Sequence, residues 1–335
     1  MKVSNISKSL IAVLIPTLCL SFWATVGHSE NLYTYKGKTY SVSELEPSFQ
    51  QSIYEAKKEQ YDSLSHVVDE HLIQIYLEEK AKSKKTTIEK VREATFATKP
   101  ASEGEMKAWY DKNKERIPYP YEKIKGEISR ILEREKAVEI RNTLIKEIKS
   151  KGKFKVLLEE PVPPSFNIAS QGYPTKGSDK AKLTLVEFAD YQCPHCKKAS
   201  SVVKNVMKKY GNKVKLVYLD FPINPSGISR QVAVGGVCAD QQKKYWEYHY
   251  MAFEKQNELT KESPEKFAKD LGLEIQKFKE CLASNEAKEK VAKSEVEGRR
   301  VGVQGTPTFF LNGRKIQVGH DEKQFEAEIN KALKG

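Results

Sequence analysis

Leu183-Thr184-Leu185-Val186-Glu187-Phe188-Ala189-Asp190-Tyr191-Gln192-Cys193-Pro194-His195-Cys196 is the stretch on which the fold turns. Its first six residues form an almost continuous apolar run, the pattern of a central strand covered on both faces. Beyond Cys196, Val202, Val203, Val206, Met207 and Tyr210 recur at helical spacing, and Gly211 ends the run. The Cys-x-x-Cys pair therefore sits where a strand turns into a helix.

That junction has chemical consequences. The first turn of a helix leaves N–H donors unpaired and carries the positive end of the dipole, and both favour an anion. Pro194 suits the first helical turn, where a missing N–H loses no bond. His195 adds a donor, or a positive charge when protonated. Together these lower the pKa of Cys193, toward the range of about 3.5–7.5 seen for cysteines in such settings. Cys196 lies three residues further into the helix, facing back over Cys193 and more shielded. The pair reads as a redox couple, with Cys193 the accessible sulfur and Cys196 its intramolecular partner. Zinc is the competing use of a Cys-x-x-Cys, but a structural site needs four ligands. No second Cys-x-x-Cys and no closely spaced histidine pair follows, and the other cysteines, Cys19, Cys238 and Cys281, are dispersed. No metal and no cofactor is expected.

Downstream, residues 213–219 read as a second strand and residues 227–296 as a helical insertion carrying Cys238, Trp246, His249 and Cys281. Gly305-Thr306-Pro307-Thr308-Phe309-Phe310-Leu311 then leads into Asn312-Gly313, a type I′ hairpin pair. Residues 323–333 close the chain as a helix.

Strand, Cys193-Pro194-His195-Cys196, insertion and Gly305-Thr306-Pro307-Thr308-Phe309-Phe310 occur in the order found in the DsbA-type disulfide oxidoreductases, which the chain resembles from about residue 166 to its end. The resemblance implies an α/β thioredoxin fold with a helical insertion. It implies Cys193 as the nucleophile and substrate-linked cysteine and Cys196 as the resolving one. Pro307 becomes a cis-proline facing the site, with the Thr306 backbone pairing to an extended substrate. Glu187, six residues before Cys193, matches the buried acidic residue of that family. A carboxylate in a central strand is costly unless paired or useful. Proton relay to Cys196 is its expected use, and a side chain reaching solvent at the strand end is the alternative. Cys238 and Cys281 match positions that carry a second pair in some members. A structural disulfide is expected of them, with free buried thiols or a second redox pair as alternatives. His249 and Trp246 follow a family packing pattern and read as core.

Upstream, residues 1–29 have the order of a secretory signal peptide: Lys2 and Lys8, an apolar run over residues 10–26, then small residues Gly27 and Ser29. An uncleaved anchor is the alternative, and Cys19 leaves with the signal. Residues 43–81 read as one helix, with Leu45, Phe49, Ile53, Leu64, Val68, Leu72 and Ile75 as its apolar positions. A second helix spans about residues 103–113 with Ser102 as its N-cap, and a third runs from about 121 to 150. In the third, Ile124, Ile131, Val138 and Ile145 fall seven apart, but Glu135 and Asn142 interrupt the second seam position. An amphipathic core helix is the simpler reading and a dimer helix the alternative. Gly37-Lys38-Thr39-Tyr40-Ser41-Val42-Ser43-Glu44-Leu45 and Glu105-Met106-Lys107-Ala108-Trp109-Tyr110-Asp111-Lys112-Asn113-Lys114 resemble the helical part of SurA-like periplasmic chaperones. No parvulin domain follows, so prolyl isomerase activity is not implied. Residues 161–178 are dense in Pro, Gly and Ser and read as a linker, to which residues 166–168 could add an edge strand. The expected domains are thus a signal at 1–29, a helical unit at 30–160, a linker at 161–178 and a thioredoxin domain at 179–335. Two folded domains agree with a length of 335 residues.

Composition narrows the function classes. Charged residues at 30% and hydrophobic ones at 39% exclude a multi-span membrane protein, and 13 Phe, 16 Tyr and 3 Trp exclude wholesale disorder. The net charge of +12 is diffuse, with lysines and glutamates interleaved rather than gathered in a basic stripe, so nucleic acid is not an expected partner. The reading is an exported, periplasmic or otherwise secreted thiol–disulfide oxidoreductase acting on unfolded or reduced exported proteins. By resemblance, a quinone-linked membrane partner reoxidises it. The competing readings are a disulfide isomerase or reductase made oligomeric by the helical domain, and a chaperone with secondary redox activity.

Overall fold

The structure, a computed structural model, describes residues 30–152 and 154–334. The signal-peptide reading and Cys19 lie outside the described residues. Two compact units are present, divided between Leu45 and Glu46.

In the first unit, β1 (Asn31–Tyr35) and β2 (Lys38–Ser41) form an antiparallel hairpin. Lys36 and Gly37 both take positive φ, as a two-residue primed turn requires. Tyr33 and Tyr40 stack across the strands at 5.0 Å. Ser41 and Glu44 then close a capping box on a single 3-10 turn.

The second unit opens with α1 (Pro47–Lys84), α2 (Ile88–Phe96), α3 (Glu103–Asn113) and α4 (Tyr121–Lys151). The first helix starts at Pro47 rather than residue 43, because the proline presets the first turn while Val42–Glu44 is the 3-10 turn. It runs three residues past 81 and ends at Lys85 in the left-handed region. α2 escaped the sequence reading; Thr87 caps it by accepting from the Lys90 N–H. α3 carries its capping box on Ser102 and Glu105. Ile73, Leu77 and Ala81 of α1, Val91 of α2, and Leu144 and Ile145 of α4 make the core of this helical part. Several α1 positions expected to be apolar contacts are exposed instead, Phe49 and Leu64 among them. Of the seven-spaced column on α4, Ile145 is buried but Val138 is exposed. Among the described residues the column is therefore not continuously covered.

The α/β part is a five-stranded sheet of order β3-β5-β4-β6-β7, formed by β3 (Thr175–Lys176), β4 (Leu183–Ala189), β5 (Val214–Asp220), β6 (Thr308–Leu311) and β7 (Arg314–Ile316). β4 runs parallel to β5 and antiparallel to β6. On one face Leu183, Leu185, Leu216 and Phe309 pack against α5 (Pro194–Tyr210) and α11 (Glu322–Lys334). On the other, Val186, Phe188, Val217, Leu219 and Phe310 pack with Val301 and Val303. The insertion comprises α6 (Ile228–Gln241), α7 (Tyr245–Glu254), α8 (Ser263–Asp270), α9 (Ile275–Ala283) and α10 (Asn285–Arg300).

Residues 166–168 do not form the edge strand; Thr175 and Lys176 do, paired to β5. Phe166 and Ile168 instead bury their side chains on the second sheet face, worth about 1.5–3 kcal/mol each. The Phe166 N–H donates to Gly313 O at 2.9 Å. Gly313 is required at that approach. Its φ is +78°, and a Cβ there would meet Phe166 O at 2.2 Å.

Candidate functional site

β4 ends at Ala189, and three residues of loop separate it from Cys193, the N-cap of α5. Asp190, Tyr191 and Gln192 build that loop. Asp190 is buried and fully engaged: Oδ1 accepts from the Gln192 N–H at 2.6 Å, and Oδ2 from the N–H groups of Ile223 and Asn224 at 2.8 and 3.1 Å and the Ser229 hydroxyl at 3.1 Å. Its backbone carbonyl accepts from the Cys193 N–H at 3.1 Å. The carboxylate thus ties the turn before the cysteines to the turn after β5.

Cys193 is half-buried and Cys196 fully buried, and both are free thiols. Pro194 and His195 between them are exposed, Pro194 being the first residue of α5. The Cys193 thiol is drawn down to about 5, first by its hydrogen bond with the Cys196 thiol, then by the Thr306 side chain and the N–H groups of Cys196 and His195, against the opposing effect of burial. Cys196 is pushed far up, by burial first and by its bond to Cys193 second. Two thiols of one chemistry are thereby split into an anion-prone partner at the surface and a proton-holding partner beneath it.

The loop before β6 closes the other side. The Thr306–Pro307 peptide bond is cis. Thr306 O lies 3.2 Å from Cys193 Sγ and accepts from the thiol. Thr306 Oγ1 is buried without a partner, which leaves its proton for a Cys193 thiolate. The Thr308 hydroxyl donates to Gly305 O at 2.7 Å and braces the turn.

Glu187 lies in the middle of β4, in register with Tyr218 on β5 and Phe309 on β6. Only 1% of it is exposed, so the alternative of a carboxylate reaching solvent does not hold. Its Oε1 has no partner, and burial pushes its pKa up to about 8. A carboxyl group of that kind carries a proton at neutral pH.

Sequence reasoning assigned no role to three further groups. Gln256 Nε2 donates to Tyr191 O at 2.7 Å and to Cys193 O at 2.9 Å. Tyr218 is fully buried beside Glu187, and its hydroxyl has no partner. The ring of His320 lies 5.8 Å from that of His195, at the exposed rim of the site. Topology brings these residues to the cysteines from distant parts of the chain, and no local pattern marks them. His249 is buried, with Nδ1 at 3.2 Å from the Tyr191 hydroxyl and Nε2 at 3.4 Å from the Ser200 hydroxyl. Burial holds its pKa down to about 3, so it stays a neutral member of the aromatic core. Trp246 donates to Thr175 O at 2.8 Å and holds the edge strand.

Cys238 on α6 and Cys281 on α9 are joined by a disulfide within the insertion. Among the described residues, no group of three or more His, Cys, Asp or Glu could hold a metal ion, and no helix is long and apolar enough to cross a membrane.

A thioredoxin family model matches residues 170–331. Disulfide bond formation protein D of Bacillus subtilis is 33% identical over 178 residues, spanning 49% of this chain and 79% of that protein. The Na(+)/H(+) antiporter NhaA 1 of Salinispora arenicola is 30% identical over 162 residues, 48% of this chain. The chain spans only 24% of that antiporter's length. Among solved structures, oxidised BdbD from Bacillus subtilis is 27% identical, with a TM-score of 0.48 and coverage of 52% of this chain and 99% of that one.

Proposed function

The chain belongs to the disulfide bond formation protein D family of thioredoxin-fold thiol–disulfide oxidoreductases, and on that premise we propose that its Cys193–Cys196 pair introduces disulfides into exported proteins. The observation that carries the reading is the division of labour between the two thiols, Cys193 held low at the helix start and Cys196 held high in the core.

In the oxidised protein, a substrate thiolate attacks Cys193 Sγ. The Cys193–Cys196 bond breaks, a mixed disulfide forms, and Cys196 leaves with the electron pair. Cys196 is buried and takes a proton, which Glu187 supplies. A second substrate thiolate then attacks the substrate sulfur of the mixed disulfide. Cys193 leaves as a thiolate stabilised by Thr306 and the first-turn N–H groups. Two substrate thiols have become a disulfide, and the protein holds two more electrons. A low-pKa leaving thiolate drives this direction, because it stabilises the reduced protein. Return to the disulfide needs an electron acceptor, for which a membrane-bound quinone-linked protein is the proposed partner. The backbone of Thr306 beside Pro307 is the proposed edge for an extended substrate, and an exported, periplasmic or secreted location suits the chemistry.

The second reading is an isomerase or reductase kept in the reduced form by oligomerisation. Exposed Leu64 and Val67 on α1 and Val138 on α4 favour it, as they also favour a helical arm that holds unfolded chains. Activity on fully reduced and on scrambled substrate, with the mass in solution measured alongside, separates the two. An oxidase acts on the reduced substrate and does not need a multimer. Action confined to scrambled substrate by a multimer overturns the oxidase reading.

A further inference from the structure

Beyond the two cysteines and the cis-proline loop, we propose that Gln256 is a positioning residue that aims the start of α5 at Cys193 and so sets the stability of the Cys193 thiolate. This rests on the reading of Cys193 as the reactive thiol.

Gln256 lies in the 3-10 turn Gln256–Glu258, after α7, and is 8% exposed. It is 63 residues from Cys193 in sequence, yet its amide nitrogen bonds both Tyr191 O and Cys193 O. Two carbonyl acceptors fix the orientation of the amide, since only the NH2 end can donate to both. The two bonds bracket the turn that delivers Cys193 into the helix. Cys193 O also accepts from the N–H groups of Cys196 and Lys197, at 3.0 and 3.2 Å. Gln256 therefore holds the peptide plane against which the first turn of α5 is built.

The neighbours of Gln256 make the attachment a strap rather than a single contact. Phe253 packs its ring on Tyr191 at 4.9 Å. Lys197 Nζ, one turn into α5, donates to Glu254 O at 3.0 Å. Residues 253–256 thus touch the site before, at and after Cys193, all from the insertion side. The N–H groups that stabilise a Cys193 thiolate, those of His195 and Cys196, belong to the turn so fastened. Losing the amide takes a donor from the Tyr191 carbonyl and one of three from the Cys193 carbonyl and frees the turn to tilt, and an oriented N–H loses most of its effect when misaligned.

The test is the thiolate titration of reduced full-length protein, followed by absorbance near 240 nm, for wild type and Gln256→Met, which keeps length and removes both donors. The expected result is a Cys193 pKa raised by about one unit, with the glutathione equilibrium moved about tenfold toward the disulfide form. A merely structural role would lower the melting temperature and leave this pKa in place. Gln256→Asn is one methylene shorter and reaches one carbonyl at most; it serves if Gln256→Met does not fold. An unchanged Cys193 pKa in the variant that folds overturns the proposal. Loss of the low-pKa signal in Cys193→Ala assigns it. Persistence of that signal would instead count against the redox assignment itself, and the role of Gln256 would fall with it.

Discussion

Glu187 and Tyr218 stand side by side in register across β4 and β5, and each buries a polar oxygen that has no hydrogen-bond partner. Burial above all pushes the Tyr218 phenol well above its ordinary value, and any charge placed on Glu187 or Cys196 would push it further, so the carboxyl group, the phenol and the resolving thiol are coupled in one buried region. Two unsatisfied polar groups side by side on two buried, largely apolar strands cost stability. A group that moves a proton to and from Cys196 gives that cost a use.

Glu187→Gln separates the two effects. The folded pKa of Glu187 is raised to about 8, so its contribution to stability is fully present below the unfolded value of about 4.3, declines as pH rises and is lost once pH passes the folded value. Melting temperature of wild type against pH should therefore fall between pH 5 and pH 9 relative to Glu187→Gln, with the two alike near pH 4. Oxidation of a reduced test protein at pH 7 should slow by about tenfold or more, because the glutamine cannot give up a proton. An unchanged rate would remove Glu187 from the mechanism.

Cys196→Ala should accumulate mixed disulfides between Cys193 and substrate, visible as thiol-sensitive adducts on non-reducing gels. Cys193→Ala should form none and should oxidise nothing. Adducts that survive in Cys193→Ala would place the nucleophile elsewhere.

Asp190→Ala removes the acceptor for four hydrogen bonds: one within the loop before Cys193, two from the turn after β5 and one from Ser229 at the start of α6. Hydrogen bonds to a charged group are worth about 1.5–3 kcal/mol each, and buried donors left without a partner add to the loss. Thermal or urea unfolding should show a destabilisation of at least about 2 kcal/mol. A variant as stable as wild type would mean that the turn finds other acceptors.

The α/β half was largely legible in the sequence because its signals are local. An apolar run made β4, the helical spacing of Val202, Val206 and Met207 made α5, and Asn312-Gly313 made the β6–β7 turn. The helical half was less so. Phe49 and Leu64 keep helical spacing yet face out, since periodicity says where apolar residues align and not what covers them. Pro47 decides the start of α1 more firmly than the apolar pattern does. The Pro-rich stretch at 161–178 looked like a free linker, but Phe166 and Ile168 find a sheet face that only the tertiary fold supplies. Within the site, the cysteines and Pro307 announced themselves by motif. Gln256 and Tyr218 did not, because an amide 63 residues away and a phenol one strand over acquire meaning only through topology.

The most direct test of the account is the pKa of Cys193 in the reduced protein, read from thiolate absorbance and from the pH dependence of its alkylation. Titration near 5, with Cys196 protonated throughout the accessible range, is the result predicted. A Cys193 that titrates near the ordinary thiol value of about 8.5 would contradict it.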